Sequence, residues 1–498
     1  MSAIAGILYQ GSPEEAILPG LLKKMEHRGE DQQQFFYHEE AAIALGSPDT
    51  TSYQGMAQAL MSKDKKLTLI CDGDMNQLNN SQYENILEWY QQKGIDFLRD
   101  LTGPFALIIM DERGKEPLFI VARDTLGGKP LYYAKRKGTY LFSSEMKSLT
   151  DYYQTVHSFP PGHYYQSDRG FIEYDRVVPS GNKIKVQESN LLKVADGIRH
   201  RLSEAVAYSL QGEQSVGLMI SGGLDSSLVA ALAMEMDSRP RKSFCVGSSD
   251  ASDLPAAREV ARALGTEHYE YEYILEEMIE LLPRVIYHLE SFEPSLARSA
   301  VPNYFAFRMA AQHTDIVLSG EGADELFSGY EYLKNISDSE ELDKELVRVI
   351  NTLHSIGLQR GDRMSAANGI EVRTPFLDQN LMDYALRIPA GWKLRKTSSG
   401  IVEKWILREA FDSKTKLPDH ILWREKEEFS EGSGARDSIQ VYMEESIQES
   451  AYQDAVKEIA QTDDIQIRSK EELYYYRIFK SFYPHRELAQ QVGRWAVD

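Results

Sequence analysis

Cysteine is nearly missing from this chain of 498 residues: only Cys71 and Cys245 occur, far apart and each inside an apolar run. That excludes a disulfide framework and a cysteine metal site, and makes a reducing cytoplasm the expected compartment. Long hydrophobic runs are missing too. No stretch approaches the ~20 continuous apolar residues of a membrane helix, and Met1-Ser2-Ala3-Ile4-Ala5-Gly6-Ile7 has no basic region ahead of an apolar one, so no secretory signal is expected. Positive charge is in deficit. Lys and Arg number 55 against 76 Asp and Glu, a formal charge of −21, which argues against broad binding to nucleic acid or anionic membrane. There is no internal repeat, no low-complexity segment and no GxxxxGK[ST] sequence, so the ordinary P-loop ATPase is excluded. What is present is an ordinary globular composition, 42% hydrophobic and 26% charged, long enough for two or three domains with real cores.

Two halves differ in rhythm. In the first, short apolar runs follow one another: Lys66 to Cys71, closed by Asp72-Gly73 as a turn; Phe105 to Met110; Leu118 to Val121; and Leu131 to Tyr133 after Gly127-Gly128-Lys129-Pro130. Glu84 to Gly94 reads as a helix, giving an α+β pattern. The polar stretch Asp168 to Val186 reads as a link, so the predicted domains are 1–185 and 186–498. In the second half strands and helices alternate: Val216–Ile220, Ser226–Met236, Ser243–Gly247, Leu254–Leu264, His268–Tyr273, Glu276–His288 and Thr314–Leu318. This predicts an α/β doubly wound parallel sheet. Beyond Asp338 the chain is expected to be mostly helical.

The chemistry concentrates in Ser221-Gly222-Gly223-Leu224-Asp225-Ser226-Ser227. The segment lies between a strand and a helix, where open α/β sheets bind ligands. Its glycines permit a tight turn and close backbone approach, and free amides at a helix start favour an anion. The bland alternative is a Gly-Ser turn before a helix. Ser319-Gly320-Glu321-Gly322-Ala323-Asp324-Glu325 repeats the design at a second strand end, so Asp225 and Asp324 are expected to share Mg²⁺ binding a nucleotide triphosphate. For these acids the alternative is capping and dipole compensation. Arg424 to Gly434, a charge run ending in Gly432-Ser433-Gly434, reads as a solvated loop or as a segment closing over the site.

Taken together, these motifs resemble the asparagine synthetase family, which includes the β-lactam synthetases. SGGLDSS at 221–227 is similar to the family's pyrophosphate loop. The strand Phe244 to Gly247 with Asp253-Leu254, SGEGADELFSGY at 319–330, Glu371 to Asp378, and Glu403-Lys404 with Leu407-Arg408 follow in the family order. Lys426 falls on the catalytic lysine. His27-Arg28-Gly29, Arg123-Asp124 and Ser144-Glu145-Met146-Lys147 resemble the N-terminal glutaminase. The resemblance implies an Ntn-hydrolase-like αββα sandwich followed by a PP-loop synthetase domain with a helical C-terminal part, and a family that often forms homodimers. It implies that a small amino-acid-like carboxylate attacks the α-phosphate of ATP and that an amine then displaces AMP. Ser221, Gly222, Gly223, Asp225, Ser226 and Ser227 would hold pyrophosphate and metal, and Asp324 a second metal. Met219, Val246, Gly320 and Arg298 would line the nucleotide or acyl pocket, with a surface salt bridge as the competing reading of Arg298. Lys426 would stabilise the α-phosphate and oxyanion, and Glu321 would position the amine and take its proton.

The glutaminase half departs from that pattern. Ser2 replaces the nucleophilic cysteine, and thiolate is far easier to activate. No Lys or Arg occurs from Gly29 through Ser62 to clamp a glutamine carboxylate. Asp72-Gly73-Asp74 replaces Asn-Gly-Glu, and no Gly-Ser-Asp occurs around Gln77 to Tyr83. The expected outcome is a vestigial glutaminase and an amine supplied by the substrate itself, as in β-lactam synthetases. Glu321, where those enzymes carry tyrosine, favours instead an ammonia-dependent asparagine synthetase, while its partner carboxylate aligns with Gly357, ahead of Arg360. A non-catalytic assembly protein is opposed by the intact Asp225, Glu321, Asp324 and Lys426. A tRNA-modifying enzyme is opposed by the acidic charge and missing catalytic cysteines.

Overall fold

The structure, a computed structural model, describes residues 1–10, 16–48, 59–73, 82–179, 181–185, 188–211, 215–236, 239–398 and 400–495. The expectations for Asp74 and for 77–81 lie outside them.

Alternating and continuous apolar runs in the first half pair into two six-stranded antiparallel sheets. In the first sheet, Ala3–Leu8 lies between Ala41–Ser47 and Thr139–Ser143; in the second, Phe105–Asp111 lies between Leu67–Gly73 and Leu118–Arg123. Ile4, Ile43, Ile70, Ile108, Val121 and Phe142 fill the space between them. Helix Ile17–Lys23 packs on the outer face of the first sheet and Gln82–Lys93 on that of the second. The expected αββα sandwich is therefore observed. Asp72-Gly73 is not the expected turn. The ladder continues as Asp72↔Ala106 and Gly73↔Phe105, and the Asp72 carboxylate is claimed by Ser2 and Arg28. Long-range partners thus override a local turn signal. The polar stretch Asp168 to Val186 is also only partly a link, because Gly170–Glu173 pairs with His163–Gln166 and extends the second sheet.

The second half forms a five-stranded parallel sheet in the order Glu267–Glu272, Lys242–Gly247, Val216–Met219, Ile316–Leu318, Glu371–Arg373. The strand order reverses between Val216–Met219 and Ile316–Leu318, so both glycine loops leave the sheet at the switch point, where a doubly wound fold opens a crevice. Beyond Asp338 the chain is mostly helical, as expected, and this last strand is an exception. Its three residues carry too little periodicity to show in sequence, and it forms because Val317↔Val372 completes the sheet edge. A small hairpin, Arg395–Thr397 with Gly400–Val402, is a second addition. No helix among the described residues is long and apolar enough to cross a membrane. Cys71 and Cys245 are both buried and free.

The domains meet through buried charge. Glu290 accepts from the backbone N–H groups of Met146 and Lys147 at 3.0 and 2.7 Å, and from Arg363 Nη2 at 2.9 Å. His288 packs edge-on against His27, ring centroids 4.6 Å apart. Burial, with help from Lys147 and His27, pushes the His288 pKa down from 6.5 to about 3. Below pH 6.5 the unfolded chain therefore takes up a proton that the folded one refuses. The His288 contribution to stability is full above 6.5 and is lost as pH falls toward 3. Thermal midpoints are expected to drop between pH 6.5 and about 5, and His288→Gln should flatten that slope; an unchanged slope would show that His288 is already exposed.

Candidate active site

The turn after Val216–Met219 is held by its own hydroxyls. Ser226 Oγ lies 3.2 Å from Ser221 Oγ and accepts from the Ser221 N–H at 3.2 Å; the Gly223 N–H donates to Ser221 Oγ at 3.3 Å. Gly222 has φ +72°, and a Cβ there would lie 2.3 Å from the Ala256 Cβ, so only glycine fits. Gly320 is required for a different reason. A Cβ there would stand 2.6 Å from the Ser226 amide nitrogen; its absence lets the two loops touch. Ser227 is fully buried with an unpartnered hydroxyl.

That close approach brings Asp225 and Asp324 together, as expected, with an ammonium between them. Lys404 Nζ is 2.5 Å from Asp225 Oδ2 and 2.6 Å from Asp324 Oδ1, and Lys426 Nζ is 2.9 Å from Asp324 Oδ2. Burial opposes charge on all of them. For Asp324 the two lysines outweigh burial and hold the carboxyl well below the usual range; for Asp225 burial wins over Lys404, with Asp324 adding to it, and the pKa rises. Asp324 and Asp225 in turn raise Lys426 against burial, keeping it charged. Asp225 Oδ1 has no hydrogen-bond partner. No group of three or more His, Cys, Asp or Glu suited to a metal occurs among the described residues, so two carboxylates are what the protein offers a cation here. That fits Mg²⁺, which keeps several waters and binds through one or two carboxylates plus phosphate oxygens.

Lys426 arrives on the 424–434 segment, which closes over the cleft. Arg424 Nη2 is 3.3 Å from Asp253 Oδ1, Ser252 Oγ donates to Glu427 at 2.6 Å, and the Ser433 carbonyl accepts from the Ser248 N–H at 3.0 Å and the Tyr273 hydroxyl at 2.6 Å. Gly432 packs where a Cβ would be 2.4 Å from Asp253 Oδ1. Burial pushes the Asp253 pKa up to about 7, against Arg424.

The resulting cavity, about 730 Å³, is lined by Met219, Phe244 and Val246, by Lys426 and both glycine loops, and by Glu321, Arg298 and Arg360. Arg298 is not a surface residue; it is 8% exposed, and its Nη1 donates to Glu471 at 2.6 Å. Glu321 Oε2 accepts from Arg360 Nη2 at 2.7 Å, and a Cβ on Gly357 would fall 2.2 Å from Glu321 Oε1. Position 357 therefore does face Glu321, and no second carboxylate stands there.

At the other half's centre, Ser2 is 6% exposed and its N–H donates to Asp72 Oδ1 at 3.0 Å. Arg28 is the hub. Its guanidinium reaches Asp72 at 3.0 Å, Glu145 at 3.0 Å and Asp362 at 2.7 and 3.1 Å, and Nε donates to the Ser2 carbonyl at 3.2 Å. Burial disfavours its charge, but Asp362, Asp72 and Glu145 more than offset this and make it more basic than an ordinary arginine. Sequence reading had placed Arg28 and Lys404 in motifs without seeing either as a hub. A basic residue in a motif of a strongly acidic chain was the available signal.

Residues 197–340 and 334–497 match the asparagine synthase family, and residues 1–189 match a glutamine amidotransferase domain. A probable glutamine-hydrolysing asparagine synthetase of Dictyostelium discoideum is 34% identical over 99% of this chain and 95% of its own length. The chain belongs to the asparagine synthetase family. A second relative, glutamine-hydrolysing asparagine synthetase 2 of Arabidopsis thaliana, is 33% identical over 97% of this chain and 87% of that one. Membership fixes the coarse activity, an ATP-dependent amide-forming ligase. The amidotransferase-type domain is retained as a fold, and the family's two-domain order is the one seen here.

Proposed function

We propose that this family member joins a carboxylate to an amine of the same substrate, through an acyl-adenylate, without hydrolysing glutamine. The observation carrying this reading is the contrast between its two centres. In the synthetase cleft, among the described residues, Asp225, Asp324, Lys404 and Lys426 pair only with one another along the cavity lining, where a triphosphate and its cation can exchange with them. In the amidotransferase half Asp72 and Arg28 are spent on each other, on Ser2 and on Asp362, leaving no cation committed to a glutamine carboxylate among them.

In this mechanism Ser221 and Ser226, which line the cavity, receive pyrophosphate with the amides after Gly222 and Gly223 at a helix start, while the fully buried Ser227 is set back from it. Asp225 and Asp324 would hold Mg²⁺, which offsets phosphate charge when bound. Lys426 turns from Asp324 to the α-phosphate. A substrate carboxylate oxygen bonds to that phosphorus as the bond to pyrophosphate breaks. The amine nitrogen then attacks the acyl carbon, gives its proton to Glu321, and AMP leaves. Arg360 grips Glu321 Oε2, so Oε1, on the Gly357 side, is the proton acceptor. Met219, Val246 and Gly320 border the nucleoside, and Arg298 the acyl group. An amine on the substrate itself has a high effective concentration, whereas free ammonia is mostly protonated at neutral pH.

Glu321 favours a second reading, synthesis of asparagine from aspartate and free ammonia. Incubation with ATP, Mg²⁺, aspartate and either ammonium or glutamine separates them. Neither asparagine nor glutamate is expected. Asparagine formed from ammonium would replace the intramolecular reading, and glutamate released from glutamine would overturn the loss of glutaminase.

A further inference from the structure

Part of the cavity lining is not used by the amide-forming chemistry. Besides Glu321 and Gly357 the cavity is lined by Ile356, Tyr330, Tyr332 and Trp495. The Trp495 ring lies 5.5 Å from that of Tyr330 and 6.2 Å from that of Tyr332, centroid to centroid, and the two tyrosines stack at 6.1 Å. Both tyrosine hydroxyls are engaged, by Glu325 and Glu345 respectively. What these residues present to the cavity is therefore ring surface.

Trp495 comes from the far end of the chain and is fastened there. Arg468 Nη1 donates to its carbonyl at 2.8 Å, while Nη2 of the same guanidinium reaches Glu472 at 3.0 Å and Glu293 at 3.3 Å. Arg494 donates to the Gln466 carbonyl at 2.7 Å and to the Glu472 carboxylate. Gly493 is tight against Ser355, where a Cβ would be 2.8 Å from the serine Cβ. Glu293 is the N-cap of the helix Pro294–Ala310 that carries Arg298. One ionic latch thus ties the Trp495 backbone to the N-cap of the helix that carries Arg298.

We propose that Trp495 is a substrate-contacting, specificity-determining residue. With Tyr330 and Tyr332 it forms a wall for the organic part of the acyl substrate, so the acid activated carries an apolar group larger than the aspartate side chain. Aspartate is polar at every end and gains nothing from three ring faces, whereas an apolar chain leaving the reacting carboxyl would lie along them. This inference rests on the acyl-adenylate reading above and names its substrate class.

Acylsulfamoyl adenosines, stable mimics of acyl-adenylates, test it by calorimetry on the full chain. Three probes are compared: one acylated through the aspartate side-chain carboxyl, one bearing 5-phenylpentanoyl, and one bearing 6-aminohexanoyl. The phenylpentanoyl probe is expected to bind at least about tenfold more tightly than the aspartyl one. Trp495→Ala should erase that preference and Trp495→Phe should keep it, with ATP affinity within about twofold of wild type in both, which also reports that the variants fold. Equal or tighter binding of the aspartyl probe, or a preference untouched by Trp495→Ala, would overturn the proposal, whereas tightest binding of the amino probe would support it, since that probe carries both an apolar chain and the substrate's own amine. If ATP binds but no acyl group improves on sulfamoyladenosine itself, the acyl-adenylate reading fails, and this inference with it.

Discussion

Lys426→Ala is expected to slow acid-dependent pyrophosphate release by about a hundredfold to a thousandfold, the usual cost of one preorganised donor to a developing charge. The effect should fall on kcat, with the KM for ATP changed far less. In the proposed reaction Lys426 adds most where negative charge builds during transfer at the α-phosphate, while binding of the triphosphate is shared with the glycine loops. The fold should survive. Asp324 loses one cation at 2.9 Å but keeps Lys404 at 2.6 Å, so no buried carboxylate is left bare. Lys426→Arg should recover little, because a planar fork does not replace a compact charge in a closed cleft. A Lys426→Ala enzyme within tenfold of wild type would show that the 424–434 segment covers the site without taking part in the reaction.

The second large effect is on stability. Among the described residues, Arg28→Ala removes the only side chain that contacts Asp72, Glu145 and Asp362 together, and Arg28 and Glu145 have no side-chain exposure. Breaking a buried ion pair from one side typically costs about 3–5 kcal/mol, because a charge stays in the interior without its partner. Here three carboxylates would be stranded, softened by Lys129, Lys147 and Arg363 nearby. Urea unfolding followed by domain-specific probes should show the amidotransferase-type half loosening first. Arg28→Lys should not restore the loss, since one ammonium cannot make the fork's separate bonds. A double cycle with Asp362→Asn should give a sizeable coupling energy. A loss below about 1 kcal/mol for Arg28→Ala would mean that the cluster is hydrated or that the acids protonate freely. Arg28 and Asp362 also join the two halves, so the same change is expected to lower the coupling between them.

Much of the site was legible because its signals are local. Gly222 must sit at positive φ where a strand becomes a helix, and Gly320 must admit a neighbouring backbone. Both needs are written as Gly residues within seven-residue motifs. The alternation of strand and helix from Val216 to Leu318 placed those motifs at one sheet edge. The misreadings have the opposite character. Asp72-Gly73 looked like a turn because turn propensity is local, whereas the pairing with Phe105 and Ala106 and the grip of Arg28 are not. The strand Glu371–Arg373 is too short for periodicity and exists because an edge was open. Arg298 read equally well as a surface residue until Glu471, far along the chain, was found against it. Trp495 carried no signal at all, being one aromatic residue in a polar C-terminal segment.

Sequence by itself determined the fold class, the two-domain order, the glycine turn between strand and helix and the serine at position 2, because each follows from residue type, spacing or backbone freedom over a few positions. Only the tertiary structure decided which charges meet: Lys404 between Asp225 and Asp324, Arg360 rather than a carboxylate beside Glu321, and Arg28 on an acid 334 positions away. Charge type is local, but a buried charge is stable only beside its partner. That partnership is set by packing, which no stretch of sequence carries alone.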